Sequence, residues 1–337
     1  MQALILAGGE GTRLRPLTSA VPKPVVPLAN RPFITFMLDW LEHHGFDDIV
    51  MSCGFLADGV RRVLGPGDRD GLTIRYIDEL EPLGTAGAVK LAEPMLDERF
   101  AVLNGDILTD LDLSSVARFH EERGARATLT LVPVDDPSSY GVILTDDEGR
   151  VSAFIEKPQG EAPSNLINAG AYVLEREVLR DIPEGRAVSF EREVFPALVG
   201  KGLFGVRRGG YWLDIGTPER YLQATRDILT GAVETAVRPG VGPGTQADDA
   251  QETLHEPLLT GASCRIAAGA EVGPYATLGD RCVVEGGAVV RGSALHDTVT
   301  VEEDAVVVDS IVGEGARIGA GTRVESTIVG VGAAVAH

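Results

Sequence analysis

Aliphatic residues recur every six positions through the last quarter of the chain, and this period restricts the possible fold more than any other feature of the sequence. The first run of these positions is Ile266, Val272, Leu278, Val284 and Val290. Small residues follow four positions after each of them, at Ala270, Ala276, Cys282, Ala288 and Ala294. An α-helix would need a period near 3.6, and the glycine and β-branched content opposes a helix. The six-residue period predicts a parallel β-helix over residues 263–337, with roughly four coils.

The first 231 residues show a different pattern, in which short apolar runs alternate with stretches of helical periodicity. This alternation is typical of α/β units around a largely parallel sheet. A first strand is predicted at residues 3–7, and a helix with one apolar face is predicted from Phe33 to His44, ended by Gly45. Further strands are predicted at residues 49–52, 101–103, 128–134, 140–144, 151–155 and 169–174. The sequence therefore predicts an α/β domain over residues 1–231.

Residues 232–262 interrupt this alternation. Two prolines and three glycines lie within residues 239–244, and acidic residues follow them. Proline and glycine favour turns and irregular chain. We therefore predict that residues 232–262 form a linker between the α/β domain and the β-helix.

The charge and the cysteines exclude several classes of protein. Fifty Asp and Glu residues against thirty Lys and Arg residues give a net charge of −20, which disfavours nucleic acid and anionic membranes as partners. The three cysteines are odd in number and form no Cys-x-x-Cys pair, which argues against a disulfide framework or a zinc knuckle. No apolar run reaches the roughly 18 residues of a membrane span, and the N-terminal region lacks the basic start of a signal peptide. We expect a cytoplasmic protein.

A glycine-rich turn follows the first predicted strand, at Leu6-Ala7-Gly8-Gly9-Glu10-Gly11-Thr12-Arg13-Leu14. Backbone N–H groups in such a turn can cradle phosphate oxygens. The turn lacks the Gly-Lys-Ser/Thr of a Walker A loop, and Leu14 stands where a dinucleotide fingerprint has its third glycine. A tight turn without a ligand is the alternative. Residues 1–31, however, carry four cationic side chains against the single acidic Glu10, a local charge of +3, which favours an anion site.

Two of the four lysines stand in motifs that suggest a role. Lys23 lies between Pro22 and Pro24, which stiffen the segment and can direct its ammonium group toward the glycine-rich turn. Lys157 follows Glu156 at a predicted strand end, so an ammonium group and a carboxylate stand side by side. Because this chain has only four lysines, it is a weak explanation that Lys23 and Lys157 are merely hydrated surface residues.

Two aspartates follow or precede glycine turns near predicted strands. Asp106 comes after the strand at residues 101–103, at the edge of the sheet where α/β proteins bind ligands. Asp214 precedes a turn that contains Gly216. Each aspartate alone is more often a turn or helix-cap residue. Together with a phosphate-binding turn they suggest Mg²⁺, which usually takes one or two carboxylates besides the phosphates of a substrate.

These segments, in this order, resemble the sugar-1-phosphate nucleotidylyltransferases, also called nucleoside-diphosphate-sugar pyrophosphorylases. The matching blocks are the Gly-x-Gly-Thr-Arg-Leu at residues 9–14, Pro22-Lys23, Asn104-Gly105-Asp106, Glu156-Lys157-Pro158, Asn168-Ala169-Gly170 and residues 212–217. Within the family, residues 79–87 and the hexapeptide tail are most similar to the mannose-1-phosphate guanylyltransferases. The resemblance implies a Rossmann-like catalytic domain followed by a left-handed β-helix.

The resemblance also implies roles for individual residues. Asp106 and Asp214 would hold Mg²⁺, Arg13 and the backbone of residues 8–12 would bind the departing pyrophosphate, and Lys23 would neutralise charge between the reactants. The sugar phosphate would contact Gly141, Glu156, Lys157 and Asn168. The nucleotide would contact Leu6, Ala7, Gly8, Gly9, Gly11, Thr12, Arg13, Glu79, Gly84, Thr85 and Gly105.

The reaction expected from this resemblance joins GTP and mannose 1-phosphate to give GDP-mannose and pyrophosphate. UTP or dTTP with glucose 1-phosphate is the alternative within the family. A catalytically inactive regulatory subunit that binds nucleotide sugars is an alternative of another class, although intact Arg13, Lys23, Asp106 and Asp214 count against it. We expect a homo-oligomer assembled through the β-helix. His296 suggests acyl transfer as an activity of the tail, but it stands beside Asp297 where the six-residue period slips, so a coil corner is the better interpretation.

Overall fold

The computed structural model describes residues 1–65, 67–69, 71–249 and 253–336. This part of the chain forms two compact units. The first consists of Met1–Gly9 and Met37–Trp212, and the second of Glu10–Phe36 and the chain from Leu213 onward. Residues 250–252 of the predicted linker and residue 337 of the predicted β-helix lie outside the described residues. None of the described helices is long and apolar enough to cross a membrane.

The first unit is built on a ten-stranded sheet. In chain order its strands are β1 (Gln2–Ala7), β2 (Asp48–Cys53), β3 (Gly67–Arg69), β4 (Leu72–Asp78), β5 (Arg99–Asn104), β6 (Ala127–Pro133), β7 (Gly141–Thr145), β8 (Val151–Glu156), β9 (Leu166–Glu175) and β10 (Leu203–Arg207). They lie in the order β8-β7-β9-β5-β1-β2-β4-β3, with β6 between β9 and β10. Short strands outside this sheet are Pro27–Leu28, Arg31–Pro32, Ile107–Thr109 and Trp212–Asp214.

The sheet is parallel at its centre, and antiparallel strands flank the centre on both sides. β5, β1, β2 and β4 are parallel neighbours, whereas β9 pairs antiparallel with β5 and β6. The central strands are buried along almost their whole length, which explains their near-continuous apolar sequence. The predicted Rossmann-like α/β class is confirmed, and every predicted strand overlaps an observed one.

The sequence pattern does not predict β3, β4 or β10. β4 carries Arg75, whose guanidinium group lies 2.6 Å from the carboxylate of Asp48 on the neighbouring β2. A charged residue inside a strand interrupts the apolar run that predicts it, and only the cross-strand partner shows why the charge is tolerated there.

Six α-helices lie wholly within the described residues: α1 (Ile34–His43), α2 (Ala57–Leu64), α3 (Gly84–Ala92), α4 (Leu113–Arg123), α5 (Phe195–Leu198) and α6 (Pro218–Thr230). A π-helical turn, Phe190–Val194, precedes α5. The 3₁₀ turns are Thr12–Leu14, Leu17–Ser19, Lys23–Val25, Glu93–Met95 and Arg176–Asp181. α1 is the helix predicted from the apolar periodicity, and Gly45, at φ 77°, follows its end as expected.

The tail of the second unit is a left-handed β-helix, as predicted. One face contains the parallel strands Gln246–Ala247, Arg265–Ile266, Val283–Val284, Thr300–Val301, Arg317–Ile318 and Ala334–Val335. The second contains Leu258–Thr260, Ala276–Leu278, Ala294–Leu295, Ile311–Val312 and Ile328–Val329, and the third contains Glu271–Val272, Val289–Arg291, Val306–Val308 and Arg323–Glu325. The aliphatic residues of the six-residue period line its core.

The β-helix begins earlier than the period indicates. Among the described residues its faces hold six, five and four strands, about one coil more than predicted. The first strand, Gln246–Ala247, and Leu258–Thr260 both fall in the stretch 232–262 for which composition predicts a linker. The linker prediction is therefore wrong for these residues. The turns of a β-helix coil are rich in glycine and proline, as a linker is, so composition does not distinguish the two.

The segment Glu10–Phe36 and helix α6 pack against the β-helix within the second unit. The Asn30 side chain donates a hydrogen bond to the carbonyl oxygen of Leu278 over 2.6 Å. Arg226 of α6 is 2.5 Å from the carboxylate of Asp309. The predicted catalytic range, residues 1–231, therefore includes parts of both compact units.

Candidate active site

The carboxyl ends of β1, β2 and β5 lie at one level in the first unit, and a glycine follows each of them. A Cβ atom on Gly54 would lie 2.8 Å from the carbonyl oxygen of Gly8, and one on Gly105 would lie 2.6 Å from that of Leu6. Only glycine permits such an approach of backbone to backbone. Ligands of α/β proteins bind at this edge of the sheet. The residues predicted to bind nucleotide that lie along this edge are Leu6, Ala7, Gly8, Gly9 and Gly105.

Glu79 follows β4 and is joined to the same edge. Its N–H donates to the carbonyl oxygen of Cys53 over 2.7 Å. Its carboxylate oxygen Oε1 accepts a hydrogen bond of 2.6 Å from the N–H of Leu83. The other oxygen, Oε2, lies 3.2 Å from the position that a Cβ atom of Gly8 would occupy. Glu79 is therefore half-buried beside the glycine-rich turn rather than an exposed turn residue.

The start of α3 packs against the segment that precedes α5 and is hydrogen-bonded to it. Gly84 adopts φ +69°, and a Cβ atom there would lie 2.7 Å from the carbonyl oxygen of Val188. The hydroxyl group of Thr85 donates to Glu191 over 2.8 Å and accepts a hydrogen bond from the N–H of Phe190 over 2.9 Å. The Thr85 hydroxyl group therefore makes its hydrogen bonds within the protein. Sequence reasoning did not identify Glu191.

The predicted sugar-phosphate residues of β7 and β8 meet as cross-strand neighbours. Gly141 pairs with Glu156, and a Cβ atom on Gly141 would lie 3.1 Å from the Glu156 carboxylate. Lys157 adopts φ 48°, and its Nζ lies 4.0 Å from Oε1 of Glu156. Burial raises the pKa of the Glu156 carboxyl, and the neighbouring Glu191 raises it further, against the opposing effect of Lys157.

Asn168 lies on β9 beside the same strand pair. β7 pairs with β9 through Val142 and Ile167, which brings Asn168 level with Gly141. The Asn168 side chain accepts a hydrogen bond of 3.2 Å from the N–H of Gly170. The pairing of β9 with β6 shifts between Asn168 and Tyr172, so the strand is irregular at this position.

Lys23 lies against the glycine-rich turn in the second unit. Gly11 adopts φ +61°, and a Cβ atom there would lie 3.0 Å from the Cβ atom of Lys23. The Thr18 hydroxyl donates to the carbonyl oxygen of Gly11 over 2.8 Å. Lys23 begins the turn Lys23–Val25 and is buried, with 9% of its surface exposed. Its two neighbouring prolines restrict the backbone and cannot donate backbone hydrogen bonds. The Cβ and Cδ atoms of Lys23 thus lie beside Gly11 of the turn.

Asp214 pairs with one guanidinium group of the second unit, and a second guanidinium group lies close to the glycine turn that follows it. A Cβ atom on Gly216 would lie 2.6 Å from Nη2 of Arg13 and 3.2 Å from Oδ2 of Asp214, so glycine leaves room for both. Arg220, in the first turn of α6, forms an ion pair with Oδ1 of Asp214. Thr217 caps that helix, since its side chain accepts a hydrogen bond from the Arg220 N–H. Sequence reasoning did not identify Arg220.

Two carboxylates are the candidates for binding a metal ion. Asp106 is half-buried at the strand edge of the first unit, and Asp214 belongs to the second. Within the described residues no group of three or more His, Cys, Asp or Glu side chains could hold a metal. Mg²⁺ needs only one or two carboxylates and completes its shell with water and phosphate oxygens. These oxygen donors fit Mg²⁺ and do not fit a structural zinc site, which is closed by four protein ligands.

Comparison with known families agrees with this architecture. Residues 2–231 match the family model described as Nucleotidyl transferase. Residues 254–337 match the model described as GMPPB C-terminal domain. The chain therefore belongs to the nucleotidyl transferase family, and the resemblance inferred from its motifs is confirmed.

Individual relatives extend over most of the chain. It is 37% identical over 299 residues to the mannose-1-phosphate guanylyltransferase of Mycobacterium tuberculosis, covering 88% of this chain and 83% of that protein. It is also 37% identical over 320 residues to the UTP–glucose-1-phosphate uridylyltransferase of Synechocystis, covering 88% and 82%. Among solved structures, HddC from Yersinia pseudotuberculosis complexed with GMP-PN has a TM-score of 0.57 and 31% identity, covering 66% of this chain and 97% of that one.

Proposed function

We propose that the protein transfers a guanylyl group from GTP to mannose 1-phosphate, forming GDP-mannose and pyrophosphate. The observation that carries the reaction class is the glycine-rich turn with buried Lys23 packed against Gly11, in a chain that otherwise has an excess of negative charge. The mannose-1-phosphate guanylyltransferase relative, 37% identical over 88% of this chain, supports the choice of substrates.

The chemistry requires positioning and neutralisation of charge more than a protein nucleophile. A sugar 1-phosphate is already anionic at neutral pH, so its oxygen can attack the α-phosphorus directly. Cations that meet growing charge in the transition state then supply most of the acceleration. We assign Lys23 to neutralise charge between the two reactants. Arg13 and the backbone N–H groups of residues 8–12 would stabilise the departing pyrophosphate.

Mg²⁺ is the cofactor that we propose, with Asp106 and Asp214 as its protein ligands. A bound Mg²⁺ ion would neutralise charge on the phosphate oxygens. Arg220 would keep the Asp214 carboxylate oriented through their ion pair. Arg13, whose Nη2 lies beside Gly216, would bind the pyrophosphate.

The sugar phosphate would bind at the strands β7, β8 and β9. Lys157 would contact the phosphate group, since its ammonium group is largely exposed at the end of β8. Glu156, Asn168 and the backbone of Gly141 would bind the sugar hydroxyl groups. An ionised Glu156 only accepts hydrogen bonds, whereas a protonated Glu156 also donates one. Its raised pKa therefore affects which sugar hydroxyl hydrogen bonds it can form.

The base would lie near Glu79, Gly84 and Thr85. A carboxylate can accept hydrogen bonds from N1 and N2 of guanine together. Uracil and thymine offer one donor between two carbonyl groups, and the oxygens of these carbonyl groups repel a carboxylate. Glu79 has its Oε2 on the side of Gly8, which supports its assignment to the base. The alternative is UTP or dTTP with glucose 1-phosphate, which the equally similar uridylyltransferase relative supports.

A pyrophosphate-release assay tests this function. GTP, UTP and dTTP would each be combined with mannose 1-phosphate and glucose 1-phosphate, with and without Mg²⁺. We expect the highest kcat/KM for GTP with mannose 1-phosphate and no turnover after chelation of the metal. Preference for a pyrimidine nucleotide would favour the alternative substrates, and binding of nucleotide sugar without turnover of any pair would favour an inactive regulatory subunit.

A further inference from the structure

A buried histidine of the β-helix has no part in the proposed reaction. His296 is 5% exposed, and its Nε2 lies 3.2 Å from the hydroxyl oxygen of Tyr221 on α6. The same hydroxyl group is hydrogen-bonded to the carbonyl oxygen of Pro27. Acyl transfer, the activity at which the sequence hints, would require an accessible imidazole, and His296 is enclosed instead.

The direction of these two hydrogen bonds follows from the number of protons. Tyr221 has one phenolic proton, and the carbonyl oxygen of Pro27 can only accept it. Nε2 of His296 must therefore carry a proton and donate it to the Tyr221 oxygen. Burial lowers the pKa of His296 to about 4, so the ring is neutral at neutral pH and exists as the Nε2–H tautomer. His296 therefore donates a hydrogen bond to Tyr221, and Tyr221 donates a hydrogen bond to Pro27.

Two segments meet at the Tyr221 hydroxyl group, the chain around Pro27 and helix α6. Each lies close in sequence to a residue proposed for catalysis or to its ion-pair partner. Pro27 closely follows the turn Lys23–Val25, in which the N–H of Val26 donates to the carbonyl oxygen of Lys23 over 3.2 Å. Tyr221 is the residue after Arg220, which pairs with Asp214. A displacement of the Tyr221 ring would thus move the backbone near Lys23 and the first turn of α6 together.

We propose that His296 is a positioning residue for the transfer reaction, acting through Tyr221 on the segment of Lys23 and on the Arg220–Asp214 pair. This proposal rests on the proposed function of the protein. Packing alone does not require the pair, since α6 and the segment Glu10–Phe36 also have polar contacts to the β-helix through Arg226–Asp309 and Asn30–Leu278. A buried imidazole and a buried phenol cost desolvation that an apolar pair would avoid.

The test compares the kinetics of variants that remove one hydrogen bond each. Tyr221→Phe removes only the hydroxyl group, and His296→Phe removes the ring donor but keeps a flat ring. His296→Gln restores an N–H donor at about the position of Nε2. Arg226→Met is the matched control, because it removes a different contact between α6 and the β-helix.

We expect Tyr221→Phe and His296→Phe each to lower kcat about tenfold or more, with KM for both substrates within about twofold of wild type. The double variant should be no slower than either single variant, because both break the same chain of hydrogen bonds. His296→Gln should recover most of the lost kcat, and Arg226→Met should lower thermal stability with kcat close to wild type. Wild-type kcat in Tyr221→Phe, or an equal loss of kcat in Arg226→Met, would overturn the proposal.

Hydrogen exchange separates this proposal from the proposed function. The N–H groups of Val25 and Val26 close the turn that begins at Lys23. We expect them to exchange faster in Tyr221→Phe and His296→Phe than in Arg226→Met, whether or not any substrate pair is turned over. Unchanged exchange in both aromatic variants would overturn the positioning role, whereas absence of turnover in the wild type alone would overturn only the proposed function.

Discussion

Asp214 is a largely buried carboxylate that lies close to cationic side chains. Arg220 pairs with it, and Nη2 of Arg13 lies beside Gly216 near the same added Cβ position as the Asp214 carboxylate. The Asp214 side chain is 18% exposed, so its charge is only partly hydrated and depends on these neighbours. Binding of Mg²⁺ at this carboxylate would add a further cation, and the negative charge of the substrate phosphates would compensate for it.

Asp214→Asn is expected to lower kcat by roughly 10²-fold or more, because it removes a charge that the metal requires in the transition state. The thermal midpoint should change little, since the partner Arg220 is itself about one-third exposed. Steady-state pyrophosphate release and thermal unfolding measure the two effects. Asp147→Asn, at an exposed turn, is the control. Near-normal turnover of the Asp214 variant would contradict the metal assignment.

Glu79→Gln tests discrimination between bases. Glutamine can still accept the hydrogen bond from the Leu83 N–H through one oxygen, while the side facing Gly8 changes from an acceptor to a donor. We expect the ratio of kcat/KM for GTP to that for UTP to fall by about tenfold or more. Comparison of the two nucleotides in wild type and variant measures it. An unchanged ratio would mean that backbone groups near Gly84 recognise the base.

Glu156 should make folding stability depend on pH. Its folded-state pKa is raised, chiefly by burial, so the folded protein retains this proton to higher pH than the unfolded chain does. Its contribution to stability is complete below the unfolded-state pKa and is lost as pH rises through the folded-state pKa. Glu156→Gln should therefore raise the thermal midpoint at pH 7.5 and have a smaller effect near pH 4.5. Glu161→Gln, at an exposed position, should show no such difference between the two pH values.

At the scale of elements, α3 depends on a glycine that serves two purposes. Gly84 begins the helix in a left-handed conformation, with φ +69°, and it also lies against the backbone of Val188. The carbonyl oxygen of Val188 accepts hydrogen bonds from the N–H groups of Ala86 and Gly87 over 2.9 and 3.2 Å. The helix that would face the base is thus fixed by the segment that leads to Glu191.

Gly84→Ala is expected to destabilise the protein more than Gly124→Ala does. Gly124, which ends α4, has a similar φ of +56°, but apart from the adjoining chain no described atom lies within 4 Å of the added Cβ position. Its replacement should cost about 1–2 kcal/mol for the left-handed backbone alone. At Gly84 the contact with Val188 should raise the cost to about 3 kcal/mol or more. Denaturant unfolding of both variants gives the comparison; equal losses would show that Val188 moves aside freely.

At the scale of the whole molecule, the residues that the resemblance implies for catalysis fall in different compact units. Lys23, Arg13 and Asp214 belong to the second unit, together with the β-helix, and Asp106 belongs to the first. All three cysteines are buried free thiols. The β-helix contacts the segment Glu10–Phe36 through the Asn30–Leu278 hydrogen bond and helix α6 through His296 and Tyr221.

We predict a homo-oligomer that assembles through the β-helix region. Val241 and Val331 are large apolar side chains exposed in that region, whereas Val63 and Leu91 are comparably exposed on α2 and α3. The double substitution of Val241 and Val331 by Glu should lower the mass measured by light scattering. The same double substitution at Val63 and Leu91 should leave the mass unchanged. A wild-type mass equal to that of one chain would contradict the prediction.

The sequence by itself determines the architecture and the backbone of the candidate site. In a β-helix each coil contacts only its neighbours, so a local six-residue period contains the information that specifies it. The central strands are buried along almost their whole length, and this burial appears directly as apolar runs. The glycine-rich turn and the prolines around Lys23 restrict their own backbone, so the local sequence is sufficient to associate this cation with the turn.

Only the tertiary structure decided which side chains meet over long distances. Glu191 accepts a hydrogen bond from Thr85 across 106 positions of sequence, and His296 meets Tyr221 across 75. No periodicity links such residues, because their contact depends on how complete elements pack. The same reason explains the first coil of the β-helix, where Gln246–Ala247 is a strand only because Arg265–Ile266 lies beside it. Local sequence specifies backbone conformation, and packing selects the partners of the side chains.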